Sequence, residues 1–68
     1  MDIGTKIRIL RKEKGLSQAK LAAIAGYSDS TISDLEAGLN NPSFASLCNI
    51  AKALDIKPSE LLEGVELD

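Results

Sequence analysis

Apolar residues recur along this chain at three- and four-residue steps, and nowhere alternate by two over a useful length. That spacing predicts five helices and no strand. Ile3, Ile7 and Leu10 form one stripe over about 3–14, with Asp2 placed to cap its start and Gly15 to end it in the left-handed conformation. Ile9 lies off this stripe and is expected to pack against a terminal segment. A second helix is expected over about 18–25, after Ser17 as N-cap. Ala19, Leu21, Ala22, Ile24 and Ala25 fill it with small and medium apolar groups, and Gly26 ends it. Tyr27 is expected to pack partly over the turn that follows.

Ser28 caps a third predicted helix over about 29–37, closed by Gly38. Only Ile32 and Leu35 face inward, and the rest of its surface is polar. A turn at 39–42 leads to Ser43, which caps a fourth helix carrying Phe44, Leu47, Ile50, Ala51 and Leu54. Pro58 suits the first position of a short fifth helix with Leu61 and Leu62. The acidic tail at 63–68 is expected to fray. The predicted core is Ile7, Leu10, Leu16, Leu21, Ala22, Ile24, Ile32, Leu35, Phe44, Leu47, Ile50, Ala51, Leu54, Ile56 and Leu61.

Length and composition narrow the class. Sixty-eight residues with 44% hydrophobic and 26% charged content suit one small folded domain spanning 1–68. The single cysteine, Cys48, cannot close an internal disulfide and reads as a small buried hydrophobe, which suits the cytoplasm. With no histidine and one cysteine, the usual zinc ligand sets are missing, and no metal or cofactor is expected. The sequence shows no nucleophile–base pair and no glycine-rich phosphate loop, so no catalytic residue is named and an enzyme is not expected. No apolar run approaches the ~20 residues of a membrane span, and Met1 to Gly4 does not begin a signal peptide.

The net charge of −2 hides a strong asymmetry. Residues 1–27 hold six basic side chains against two acidic ones, and residues 28–68 hold two against eight. One basic and one acidic face are therefore open to the fold. Lys6, Arg8 and Lys12 are candidates for attracting phosphate, or are simply solvated charges at helical spacing.

Residues 17–38 carry the most specific signal: two short helical patterns joined by a turn of about four residues centred on Gly26. The second helix of such a unit can enter the DNA major groove. Asp29 and Asp34 are unexpected there, because a groove reader is usually neutral or basic.

Leu16-Ser17-Gln18, Leu21-Ala22, Ala25-Gly26, Ser30-Thr31-Ile32-Ser33, Leu35-Glu36, Gly38, Asn41-Pro42-Ser43, Leu47 and the run from Ile50 to Leu54 resemble the lambda-repressor-like, Cro/cI-type (XRE-type) helix-turn-helix family. The resemblance extends from Ile7 to Leu62. It implies an all-α, compact five-helix DNA-binding fold with the helix-turn-helix at helices two and three.

By the same resemblance, Ser28, Asp29, Ser30, Ser33 and Asp34 occupy the base-reading positions. Serine hydroxyls can meet several bases, and an ionised aspartate can accept from the cytosine amino group. Asp29 is equally placed to favour the helix dipole, and Asp34 to pair with a lysine or face water. Ser17 and Gln18 are implied at the DNA backbone, Gln18 donating its amide to phosphate, with helix capping as a compatible role. Asn40, Asn41 and Ser43 are implied phosphate ligands or turn and cap residues, joined by Lys6 and Arg8. Arg11 and Glu36 match a pair that braces the recognition helix, although Arg11 could also reach a phosphate.

The expected function is that of a bacterial or phage transcription regulator, most simply a repressor, binding a double-stranded DNA operator. A dimer through helices four and five and the tail, with Leu61, Leu62, Val65 and Leu67, is the expected assembly. Two alternatives are a protein-interaction module of the same fold, motivated by the two aspartates, and the DNA-binding part of a longer repressor.

Overall fold

The computed structural model describes residues 1–66, and Leu67 lies outside that range, as does Asp68. Among the described residues there are five helices and no strand: α1 (Ile3–Glu13), α2 (Gln18–Ala25), α3 (Asp29–Ala37), α4 (Phe44–Ala53) and α5 (Pro58–Leu62). Four of the five starts carry a side-chain cap. Asp2 accepts from the Thr5 N–H, Ser17 from Lys20, Ser28 from Thr31 and Ser43 from Ser46. Each cap satisfies one of the N–H groups that a helix start leaves without an internal partner.

The core is formed by Ile7, Leu21, Ala22, Ile32, Leu35, Ile50, Ala51, Leu54 and Leu61. Leu10, Leu16, Leu47 and Ile56 pack against it from partly buried positions, with Tyr27 beside them. Two of the predicted core residues neither belong to it nor flank it. Ile24 is 51% exposed, because α2 turns Leu21 and Ala22 inward and carries apolar residues on nearly every side. Phe44 is 73% exposed: as the first residue of α4 it extends past the elements that cover Ile50 and Ala51. Ile9 is exposed rather than packed on a terminal segment, and Cys48 is a free thiol, half-buried rather than buried.

α3 packs on α1 and α2, α4 on α2 and α5, and α5 closes back on α1. The α1–α3 approach is made possible by Gly4, which is buried. A Cβ there would run into the Leu35 carbonyl oxygen and come within 2.9 Å of the Glu36 carbonyl oxygen. The tail is docked through Glu66, contrary to the expected fraying. The Glu66 N–H donates to the Met1 carbonyl at 3.0 Å, and the N-terminal ammonium donates to the Glu66 carboxylate at 3.0 Å. The expectation for 67–68 falls outside the described residues.

Candidate nucleic-acid interface

The unit at 17–38 is built by two helices and a tight turn. Gly26 takes φ 81°, and the Tyr27 N–H donates to the Ala22 carbonyl at 2.8 Å, so the chain reverses within two residues of α2. Ser28 then opens α3. Ile32 and Leu35 are buried, which turns the opposite side of α3 outward. Asp29 and Ser33 are four residues apart, as are Ser30 and Asp34, so these residues share that outer side. Asp29 and Ser30 are exposed, while Ser33 and Asp34 are half-buried.

Ser28 is less free than its position suggests. Its Oγ accepts the Thr31 N–H at 3.3 Å and lies 2.8 Å from Thr31 Oγ1 and 3.2 Å from Ser30 Oγ. The outer face therefore offers carboxylates and hydroxyls and no cation. Acceptors of this kind suit the amino groups of cytosine and adenine on the major-groove edge.

Three helices meet at one carboxylate. Arg11 Nε donates to Glu36 Oε2 at 2.7 Å and Arg11 Nη2 to Glu36 Oε1 at 3.0 Å. Arg11 Nη1 donates to the Leu16 carbonyl at 2.8 Å. With all three nitrogens engaged, Arg11 turns into the protein rather than toward a phosphate. Gln18 Nε2 donates to Glu36 Oε1 at 3.2 Å, a link between α2 and α3 that the sequence reading did not anticipate. Burial pushes the Glu36 carboxyl up, but hydrogen bonds from Arg11 and Gln18 and the charges of Arg11 and Arg8 outweigh it and hold it below the usual carboxylate range. The same pairing raises the Arg11 guanidinium.

The other candidates divide. Ser17 and Gln18 stand together at the start of α2, whose first N–H groups have no internal partner. Arg8 is exposed and lies on the α1 face between Gly4 and Arg11, toward α3. Asn40 and Asn41 are exposed in the loop before α4. Lys6 is drawn elsewhere. Its ammonium donates to the Glu63 carbonyl at 2.8 Å, just past α5, because two residues beyond Gly4 the helix has turned to its other side. The Ser43 hydroxyl is also occupied: it donates to Ser46 Oγ at 3.1 Å while accepting the Ser46 N–H. Any phosphate contact at this cap therefore falls to the main chain, not to the Ser43 side chain.

Tyr27 is the polar residue that sequence reading treated only as packing. Its hydroxyl donates to Ser46 Oγ at 3.3 Å and accepts from Asn49 Nδ2 at 2.9 Å. These two bonds lower the Tyr27 phenol below its ordinary value. A tyrosine directly after the turn glycine was the available signal, but its partners are about twenty residues away and separation in the chain hides them.

This architecture is that of a helix-turn-helix protein. The helix-turn-helix family profile matches residues 7–61, most of the chain. The chain belongs to the helix-turn-helix family of Cro/cI type, with the lambda-repressor-like fold. It is 38% identical over 60 residues to an uncharacterized HTH-type transcriptional regulator, y4dJ, of Sinorhizobium fredii, covering 88% of this chain and 78% of that one. It is 41% identical over 66 residues to the HTH-type transcriptional regulator DdrOP3 of Deinococcus deserti, covering 97% of this chain but only 51% of that one. Among solved structures, the P22 c2 repressor in complex with a synthetic operator superposes with a TM-score of 0.83 at 34% identity, covering 94% of this chain and 97% of that one. No helix among the described residues is long and apolar enough to cross a membrane.

Proposed function

We propose that this chain is a sequence-specific DNA-binding transcription regulator that places α3 in the major groove of an operator. The observation that carries this reading is the outward polar face of Asp29, Ser30, Ser33 and Asp34, held by the buried Arg11–Glu36 pair on a fold similar to an operator-bound repressor. With its side chains a helix such as α3 is about 10–12 Å across, which fits a groove about 12 Å wide. Ser30, Asp29, Ser33 and Asp34 read base edges, and Ser28 serves mainly as the cap. Ser17, Gln18 and the α2 N-terminus hold one stretch of DNA backbone. Asn40, Asn41 and the α4 N-terminus hold another, with Arg8 adding charge.

The family is one of transcription regulators rather than enzymes, and we read this chain in the same way, as a cytoplasmic regulator. One α3 sees only a few base pairs, so a symmetric dimer on half-sites about 34 Å apart is the natural assembly. Leu61 is fully buried and cannot contribute to its surface, and Leu67 is not among the described residues. The dimer surface is better sought at exposed Phe44 and at Ile3, Pro42, Leu47, Leu62 and Val65, which line one groove of about 420 Å³. Sedimentation that finds only monomer up to high concentration removes the dimer and leaves DNA recognition standing.

Selection from a random duplex library at fixed salt tests the main reading. An enriched motif, with affinity falling as salt rises, supports it. No enrichment at any salt concentration, together with tight binding of a basic protein partner, overturns it.

A further inference from the structure

The recognition helix and the α4 loop must grip one rigid duplex together, yet α4 packs mainly on α2 and α5 rather than on α3. One polar chain bridges them. Asn49 Nδ2 donates to the Tyr27 hydroxyl, which donates to Ser46 Oγ, and Ser46 Oγ also accepts from the Ser43 hydroxyl. Ser43 is the N-cap of α4, and Tyr27 precedes the N-cap of α3 by one residue. The Tyr27 main chain is itself anchored to α2 through the Ala22 carbonyl. Two hydrogen bonds therefore join the Tyr27 hydroxyl to α4, one to Ser46 in its first turn and one from Asn49 further along, and a third continues from Ser46 to the Ser43 cap.

We infer that Tyr27 is a positioning residue, whose hydroxyl sets the α4 N-terminus and the Asn40–Asn41 loop in register with α3 for simultaneous contact with the DNA backbone. This rests on the DNA-binding reading above. Tyr27 reads no base. Its ring packs against the core whether or not the hydroxyl is present, so the positioning function resides in one oxygen atom. Without that oxygen, α4 keeps its packing on α2 but loses its polar tie to the turn. Each binding event must then restrict that freedom before both groups of phosphates can be held at once.

Tyr27→Phe in the full chain is the test, with Ser46→Ala as a second cut in the same chain of bonds. Circular dichroism and thermal melting measure the folded fraction. Affinity is measured for the selected operator and for an unrelated duplex across a range of salt. Tyr27→Phe is expected to stay folded and to bind both duplexes roughly 3- to 10-fold more weakly, the worth of one neutral hydrogen bond or slightly more. The base preference is unchanged, and the slope of log K against log salt becomes shallower by up to about 0.9 for each phosphate that is no longer held. Ser46→Ala leaves the Asn49–Tyr27 bond in place and is expected to shift affinity and slope in the same direction by less, with the double variant no weaker than Tyr27→Phe alone.

A change in folded fraction that explains the whole loss, with the slope unaltered, overturns the inference, because mere destabilisation does not change the number of phosphates held. Unchanged affinity and slope in both variants overturn it as well, while leaving the DNA reading intact. A wild-type chain that shows no salt-dependent binding overturns both.

Discussion

Arg11 and Glu36 stand 25 positions apart in the chain and meet through two hydrogen bonds of 2.7 and 3.0 Å, with side chains only 10% and 2% exposed. The pair ties α1 to α3, and Gln18 joins it from α2. Removing one partner of a buried pair costs about 3–5 kcal/mol, because the other charge is left unpaired. A chain of this length has roughly 3–10 kcal/mol of stability in total. Glu36→Ala is therefore expected to lower the melting temperature by more than about 12 °C. The paired replacement Arg11→Met with Glu36→Leu should recover most of that loss, and calorimetry on the three chains decides it.

The same carboxylate gives a pH dependence. Glu36 titrates below its ordinary value in the fold, so the unfolded chain takes up its proton first as acid is added. Its stabilisation is complete above the unfolded value of about 4.3 and is lost as pH falls through the lower folded value. Asp2 is lowered in the same direction by its hydrogen bond to the Thr5 N–H, so Asp2→Asn provides the control. Urea unfolding between about pH 3 and 6 should show stability declining toward acid in the wild type. The decline should be shallower in Arg11→Met/Glu36→Leu, and an identical slope in the two would argue that Glu36 is not the group responsible.

Gly4 makes a sharper demand than its helical position suggests. Alanine in a helix interior normally gains about 1 kcal/mol over glycine. Here the added methyl meets main-chain carbonyls of Leu35 and Glu36, which have no rotamer with which to move aside. Gly4→Ala is expected to destabilise by a net ~1–2 kcal/mol as α1 is pushed off α3. A raised melting temperature would show that the two helices separate at little cost.

Asp55 offers the opposite case. It follows α4 at φ 59°, in the left-handed region that glycine adopts freely, and it is exposed. Asp55→Gly should raise stability by about 0.5–1 kcal/mol and leave DNA binding unchanged. Thermal melting and a binding titration measure the two halves of that statement.

On the proposed interface, Ser30→Ala should lose about 1–3 kcal/mol at one operator position and little elsewhere. Gln18→Ala should weaken all sequences alike. Asp29→Asn removes a charge that repels phosphate, so affinity for unrelated DNA should rise, while the start of α3 loses about 0.3–1 kcal/mol of dipole stabilisation. Parallel binding curves on selected and scrambled duplexes separate the three outcomes.

The places where sequence reading and structure part share one cause. Helical spacing marks which positions are apolar, but it does not say what lies opposite each one. Phe44 and Ile24 match the apolar pattern as well as Leu47 and Leu21 do, yet they stay 73% and 51% exposed. Lys6 and Arg8 look equivalent along the chain, and a turn of about 200° between them separates α5 from α3 as their neighbour. The docked tail was invisible because its partners are at the other end of the chain.

Local chemistry was enough to set the five helices, their serine and aspartate caps and the glycine at the turn, because capping and left-handed backbone are decided within a few residues. The family resemblance paired Arg11 with Glu36 in advance, but the geometry of that contact is tertiary. Only packing decided that Gly4 admits α3, that Gln18 joins the Glu36 carboxylate, and that Tyr27 ties the turn to α4. Those contacts link residues far apart in the chain, and their energies exist only once the core of Ile7, Leu21, Ile32 and Ile50 has brought the helices together.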